Sequence, residues 1–205
     1  MGPLCFLMLI NDALTDTPHR WKYVDDCTAG IPVNNKRPDY SPLQRTLDKL
    51  QQWTQVNSVT INHSKTVVMH VCTSRTAVPP PQLTLGTHQL QGVTTFKLLG
   101  VVLDDHLSWG PHVVSVVKAA SYRLYMLRRL RALGTPPSEL KGVYTSFILP
   151  KLVYASPAWS PFLNITQLNQ LERVQKRACR VILGSACDTY NAALVSLNLP
   201  TLSEI

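Results

Sequence analysis

Hydrophobic and polar positions change rhythm along this chain. The opening run Pro3-Leu4-Cys5-Phe6-Leu7-Met8-Leu9-Ile10 is apolar throughout and stops at Asn11-Asp12, which predicts a core helix. The run is too short to span a bilayer, and no basic residue precedes it as a secretory signal requires. Trp21 to Ile31 then reads as two short β-prone stretches around Asp25-Asp26, a hairpin whose turn carries the acids. Residues 41–57 have helical spacing, with Leu43, Leu47, Leu50 and Trp53/Thr54 on one face, Ser41 as the cap and Pro42 at the first helical position. A strand is expected within 59–71 after a turn at Asn62–Lys65. Pro79-Pro80-Pro81 breaks regular structure and is the linker candidate.

Strand pieces follow at 83–85, 88–90 and 96–103, and from Pro111 the period becomes helical. Val113, Val116, Ala120, Leu124 and Leu127 mark one helix. Pro136-Pro137 opens a second, through about Phe147. A third covers 168–183, with Leu168, Leu171, Val174, Ala178 and Ile182 inward. The expected fold class is α+β: a mixed region over 1–110 followed by an all-helical region over 111–205.

Charge sharpens this division. The chain has 205 residues and a formal net charge of +8. Residues 118–180 hold eleven Lys/Arg against Glu139 and Glu172 alone, while the rest of the chain holds nine basic and ten acidic residues. The positive field therefore belongs to the helical region and favours a polyanionic partner. Arg173, Lys176, Arg177 and Arg180 fall at i, i+3, i+4 and i+7 on one predicted helix. With Arg123, Arg128, Arg129 and Arg131 they suit phosphate contacts, although a charged stripe also serves as an ordinary wet face. The five cysteines are scattered and lack metal or disulfide spacing. They read as buried free thiols in a reducing intracellular compartment, nuclear or cytoplasmic. Asn62-His63-Ser64 and Asn164-Ile165-Thr166 match the glycosylation pattern by chance.

Asp25-Asp26 is the sharpest candidate for chemistry. Adjacent carboxylates repel, and a bound cation relieves that repulsion. Hard oxygen donors of this kind suit Mg²⁺, which keeps several waters and takes one or two protein carboxylates plus substrate phosphates. A bare Asp pair also marks a solvated turn. The chain contains a control in Asp104-Asp105, between a strand and a helix, where capping by Asp105 is a sufficient role.

Tyr23-Val24 ahead of the first pair separates the two cases. Tyr23-Val24-Asp25-Asp26 resembles the Tyr-x-Asp-Asp signature of reverse transcriptases, and the surrounding blocks resemble most closely the non-LTR (LINE-type) retrotransposon enzymes. Gly2-Pro3-Leu4-Cys5-Phe6-Leu7 with Ile10-Asn11-Asp12 is similar to the end of their Gly-rich template-facing segment. Trp53, Asn57, Ile61-Asn62 and Lys65-Thr66 are similar to the next block. Phe96-Lys97-Leu98-Leu99-Gly100-Val101 is similar to the primer-grip turn. Leu149-Pro150-Lys151-Leu152-Val153-Tyr154-Ala155, Trp159 and Leu171 to Ala178 resemble the thumb and the segment beyond it. The ordered set covers nearly the whole chain.

The resemblance implies a partial polymerase palm with a hairpin-bearing antiparallel sheet over 1–110 and a thumb-like region over 111–205. It implies RNA-directed DNA synthesis on an RNA template and a DNA primer, with deoxynucleoside triphosphates as substrates and no membrane. Asp25 and Asp26 would hold Mg²⁺, with Mn²⁺ as the alternative, in a two-metal mechanism. Lys65 would contact or protonate the leaving pyrophosphate. Tyr23, Leu99 and Gly100 would support the primer terminus, and Arg173, Lys176, Arg177 and Arg180 would hold the template–primer duplex. In that family a first catalytic Asp and the fingers precede the Gly-rich segment, at which this chain starts. The expectation is a polymerase-derived chain inactive in isolation, the alternative being a nucleic-acid-binding remnant without chemistry.

Overall fold

The computed structural model describes residues 3–74 and 81–204. Gly2 and the Pro79-Pro80 part of the expected linker lie outside them. The chain divides into two compact units, Met1–Thr94 and Thr95–Ile205.

In the first unit, α1 (Pro3–Ile10) forms over the predicted run, yet Leu4, Leu7 and Met8 remain exposed. It is a helix without the burial that its all-apolar surface predicts. β1 (Arg20–Tyr23) and β2 (Asp26–Ala29) pair antiparallel, with Tyr23 opposite Asp26. Helix α2 (Ser41–Val56) starts on a cap different from the expected one. Ser41 is already inside the helix, and the Asp39 carboxylate accepts its N–H at 2.9 Å. Its apolar stripe packs Leu43 and Leu47, with Tyr40, on a small core of Val68, Leu83, Leu85 and Leu90.

The strand expected within 59–71 shrinks to β3 (Val67–Val68), which pairs parallel with β6 (Gln91–Gly92), while β4 (Thr84–Leu85) and β5 (His88–Gln89) form a hairpin. The Gln44 amide donates to the Thr84 carbonyl and accepts the Thr84 N–H, each at 2.9 Å, so α2 takes the place of a neighbouring strand for β4. Among the described residues the strands pair only two by two.

The second unit opens with the hairpin β7 (Thr95–Leu98) and β8 (Val101–Asp104). Val101 and Leu103 pack against the helical core, which is why this hairpin goes with the helices, ahead of the change to helical period at Pro111. The junction to α3 (Gly110–Ala132) is built on Asp104. Its carboxylate accepts the N–H groups of His106 (3.2 Å), Ser108 (2.9 Å) and Trp109 (3.0 Å). The capping role expected of Asp105 is not observed: Trp109 stands at the N-cap with no side-chain cap hydrogen bond, and Asp104 instead orders the loop ahead of the helix. Leu107 and Trp109 both adopt positive φ in the loop that winds around it, a conformation that side-chain-bearing residues accept only when held there.

α3 buries Val113, Val116, Ala120, Leu124 and Leu127, the predicted positions. α4 (Pro137–Val143) does not continue as a regular helix to Phe147. It passes into a π-helical turn, Tyr144–Ile148, and then into α5 (Leu149–Val153), whose Pro150 has no N–H for an α-type ladder. Arg123 donates to the Phe147 carbonyl and lies over the Phe147 ring, 4.3 Å from its centroid. After α6 (Ser156–Trp159) comes α7 (Ile165–Leu183), which begins three residues earlier than its apolar periodicity suggests. Asn164 and Gln167 form a reciprocal capping box, so Asn164-Ile165-Thr166 is a helix start. Leu171, Val174, Ala178 and Ile182 face inward as expected, while Leu168 is only half-buried.

Helix α8 (Tyr190–Leu197) closes the unit through a buried polar relay. Tyr144 donates to the Gln175 amide oxygen at 2.5 Å, and the Gln175 amide nitrogen donates to the Pro200 carbonyl at 2.7 Å and to Tyr190 at 3.2 Å. Tyr190 donates to Glu172, which also accepts the Leu202 N–H at 2.7 Å. Burial first, and then the neighbouring Glu172 carboxylate, push the Tyr190 hydroxyl well above the usual tyrosine value. Of the five cysteines only Cys179 is fully buried, its thiol pushed up to about 11 by desolvation, whereas Cys5 and Cys27 are exposed. The expectation of uniformly buried thiols is therefore corrected. Among the described residues no helix is long and apolar enough to cross a membrane.

Replacing Asp104 by Ala leaves three N–H groups without their acceptor, the one at Trp109 buried and those at His106 and Ser108 part-buried. The expected cost is about 2 kcal/mol, or roughly 6 °C in Tm. Burial alone would raise the Asp104 pKa, but its backbone hydrogen bonds outweigh this and hold it below the ordinary 3.8. Its stabilisation is therefore complete above the unfolded carboxylate's value and is lost as pH falls through the lower folded one. Urea denaturation across acid pH should show a flatter acid loss in Asp104→Asn than in the parent chain.

Candidate active site

Tyr23, Val24, Asp25 and Asp26 lie at the tip of the β1–β2 hairpin, with Val24 and Asp25 as its two-residue turn. Asp25 occupies the turn and Asp26 the first position of β2, so the pair bridges a turn and a strand end. Val24 has φ of +55°. Tight hairpins require positive φ at this position, where glycine or asparagine is usual and a β-branched residue is strained. Both carboxylates are exposed, and neither makes a hydrogen bond or ion pair among the described residues.

The hairpin is held through β1. Lys22 donates to the carbonyls of Ile10 (3.2 Å), Asn11 (2.7 Å) and Ala13 (2.9 Å), and Arg20 to those of Thr15 (2.7 Å) and Thr17 (2.8 Å). These two cations alternate with exposed Trp21 and Tyr23. The motif reading leaves Arg20 and Lys22 without a role, although the alternation Arg20-Trp21-Lys22-Tyr23 already sets them apart. Cys27, opposite Lys22, has its thiol pushed up by partial desolvation first. The Asp26 and Asp25 charges add to this, while Lys22 pulls it down.

Two free carboxylates with unshared oxygens have the donor chemistry of a hydrated Mg²⁺ site completed by phosphate oxygens. They do not make a closed protein cage. No group of three or more His, Cys, Asp or Glu side chains placed to hold a metal occurs among the described residues. Lys65, in the same unit, is exposed on a turn whose Asn62 carboxamide oxygen accepts the Ser64 hydroxyl (2.7 Å) and the Lys65 N–H (3.2 Å). Asn57 ends α2, its amide donating to the Trp53 carbonyl at 2.9 Å.

In the second unit, Leu99 and Gly100 form the β7–β8 turn with φ of +46° and +89°. Tyr154 holds this turn. Its hydroxyl donates to the Leu99 carbonyl at 2.9 Å, and its ring lies so close that a Cβ on Gly100 would sit 3.0 Å from Cε1. Trp159, buried, donates its indole N–H to the Tyr154 carbonyl at 3.0 Å. Residues far apart in sequence thus meet at one turn. His112 joins the same region: its Nδ1 accepts the Val102 N–H at 3.2 Å. Burial first, then Lys151, lower its pKa, which favours the neutral ring. Its buried Nε2 has no hydrogen-bond partner among the described residues and the ring stands edge-on to Trp159 at 5.0 Å, an arrangement suited to an N–H···π contact.

The basic residues of this unit divide into two groups. Arg131 donates to the Ile182 carbonyl at 2.9 Å, at the C-terminal end of α7, and its Nη2 lies 2.7 Å from where a Cβ on Gly184 would sit. Arg123 is bound to Phe147 as described. Each of these two thus has part of its guanidinium committed to a backbone carbonyl. Arg173, Lys176, Arg177 and Arg180 are all exposed on α7 and unpaired with any carboxylate among the described residues, although Lys176 reaches over the Tyr190 ring at 5.9 Å. A shallow groove of about 350 Å³ between α3 and α7 has Val114, Val117 and Val174 as its floor and Lys118, Arg173 and Arg177 at its rim.

Gly100→Ala should destabilise the second unit by about 1–3 kcal/mol, combining unfavourable φ with collision against Tyr154. Tyr154→Phe keeps the ring packing and removes one hydrogen bond, about 1 kcal/mol. Thermal unfolding of the two variants should rank them in that order.

No family model and no solved structure matches the chain. Among curated proteins it is 24% identical over 199 residues to the RNA-directed DNA polymerase from mobile element jockey of Drosophila melanogaster, covering 90% of this chain and 21% of that protein. It is 26% identical over 192 residues to the probable RNA-directed DNA polymerase from transposon BS of the same species, covering 89% and 20%. The jockey polymerase of Drosophila funebris is 27% identical over 145 residues, covering 70% and 16%. The chain spans about a fifth of the length of the first two relatives. Along most of its length it is similar to curated RNA-directed DNA polymerases of mobile elements, in line with the resemblance of its ordered motifs to LINE-type reverse transcriptases.

Proposed function

We propose that the chain is a palm and thumb portion of an RNA-directed DNA polymerase. The observation that carries this reading is a Tyr-Val-Asp-Asp tip on a strained two-residue hairpin in a chain similar to three curated mobile-element polymerases. The reaction is attack of a primer 3′-hydroxyl on the α-phosphate of a deoxynucleoside triphosphate, with release of pyrophosphate. The template is RNA and the primer DNA. Asp25 is the principal ligand for Mg²⁺, or Mn²⁺ in its place, and Asp26 assists. When bound, the ion polarises phosphate oxygens and offsets charge that develops on them.

The remaining roles belong to the protein. Exposed Tyr23 supports the primer terminus beside the carboxylates. Lys65, on its turn, pairs with or protonates the departing pyrophosphate. The Leu99–Gly100 turn supports the primer strand, and Tyr154 keeps that turn in shape. Arg173, Lys176, Arg177 and Arg180 contact duplex phosphates, an attraction that depends on salt because it releases counterions. A second reading, duplex binding without chemistry, is favoured by the lack of a third metal-ligating side chain near the pair among the described residues.

Primer extension on an RNA template with Mg²⁺, comparing the 205-residue chain with Asp25→Asn, separates these readings. Extension that falls roughly a hundredfold or more in the variant is expected for the polymerase. Binding of template–primer without extension by either protein supports the second reading, and failure of both assays overturns both. Binding strength should fall linearly with salt on logarithmic axes. Neutralising the four α7 cations should flatten that line by about 0.9 for each phosphate no longer neutralised.

A further inference from the structure

A second surface of the helical unit has a different chemistry. On the outer face of α3, Lys118, Tyr122, Tyr125 and Arg129 follow one another at spacings of four, three and four residues, which aligns them in one stripe along the helix. The two tyrosines are unusually bare for aromatic side chains, 73% and 55% exposed, and Lys118 and Arg129 are also exposed. Val114 and Leu133 extend the stripe at its ends and are exposed as well. None of the four central side chains makes a hydrogen bond, ion pair or ring contact among the described residues.

We propose that this face binds single-stranded nucleic acid, with unpaired bases stacked on Tyr122 and Tyr125 and phosphates held by Lys118 and Arg129. Each ring here is flanked by a cation that no carboxylate among the described residues neutralises, a charge complement for a polyanion. Alternating rings and cations are the elements of a stacking platform for an unpaired strand. An intact duplex is a poor occupant, because its base faces are already covered by their neighbours. The rings are about 4.5 Å apart along the helix axis, three residues at 1.5 Å each, close enough to engage neighbouring bases. Lys118 also lies on the rim of the groove shared with Arg173 and Arg177, so this stripe is continuous with the cations of α7. The inference does not depend on the polymerase reading, since it requires no carboxylate, metal or nucleotide.

The test is fluorescence anisotropy of the 205-residue chain with labelled 16-nucleotide oligomers, roughly the upper site size of such platforms. Oligo(dT), oligo(rU), an abasic oligomer of equal charge and a blunt duplex are compared at one salt concentration. Tyr122→Ala/Tyr125→Ala should weaken single-strand binding at least about tenfold, leave duplex binding unchanged and leave Tm within error, because both side chains lie outside the core. Tyr122→Phe/Tyr125→Phe should restore most of the affinity, since the ring face is what stacks. The dT and rU arms decide whether the strand is DNA, RNA or either. Equal binding of the abasic oligomer, or no loss in the double alanine variant, would overturn the proposal. So would a change in the chain's own sedimentation on Tyr→Ala without a change in oligomer affinity, which would make the face a contact between copies. Loss of primer extension in Asp25→Asn is a separate result and leaves this proposal standing or falling on its own.

Discussion

One carboxylate organises the helical unit. Asp104 ends β8 and binds the N–H groups of His106, Ser108 and Trp109, so the chain leaves a strand and enters α3 within a few residues. That turn requires positive φ at Leu107 and Trp109, and the carboxylate offsets the strain. Everything downstream depends on the direction α3 takes. It carries Val113 to Leu127 into the core against α7, directs His112 back to the Val102 N–H and directs Arg131 to the end of α7. Gln167, the capping residue of α7, donates to the Ser108 carbonyl at 2.8 Å, so the loop wound on Asp104 also orients the second long helix.

The hairpin of the first unit follows the opposite logic. There the carboxylates are left open and the cations are engaged: Lys22 and Arg20 draw in five carbonyls of the 10–17 segment. Charge-assisted hydrogen bonds of this kind fix a strand more firmly than a two-stranded ladder of four residues does by itself. A firmly held strand can sustain a β-branched residue at φ of +55° in its turn. The tip then presents two carboxylates that repel each other and have no partner among the described residues to relieve them, which is the electrostatic condition under which a hard cation binds.

The two Asp-Asp pairs show what was legible in the sequence and what was not. Tyr23-Val24 ahead of the first pair separates it from Asp104-Asp105, and the structure distinguishes them too: the first pair is open, whereas Asp104 of the second is bound to backbone N–H groups. The choice between Asp104 and Asp105 was not legible, because it depends on a loop of left-handed residues that no hydrophobic period records. Periodicity located α2, α3 and the inward face of α7, since apolar side chains at helical spacing must bury one face. It missed the start of α7 because a capping box is polar, and it read the π turn over Tyr144–Ile148 as ordinary helix because a single wide turn barely alters the spacing. The contact of Tyr154 with Leu99 and Gly100 joins residues 55 positions apart, and no local signal encodes it. The motifs carried the resemblance; pairing and packing supplied the geometry.

Basic charge in the helical unit has two distinct uses. Arg123 and Arg131 bind carbonyls left unsatisfied at a π turn and a helix end, and their removal would be felt as instability. Arg173, Lys176, Arg177 and Arg180 bind no such group, and along α7 they form like-charged pairs three and four residues apart. At a few tenths of a kilocalorie each, those repulsions cost the free chain about 1–2 kcal/mol. Glu172, the nearest acid in sequence, faces the buried relay with Tyr190 and Leu202 and does not relieve them. An anion laid along α7 removes that repulsion as it binds. The attraction for phosphate proposed for this helix would therefore have two sources, the direct contacts and the release of repulsion already present in the helix. A helix so charged is stabilised by any polyanion laid along it.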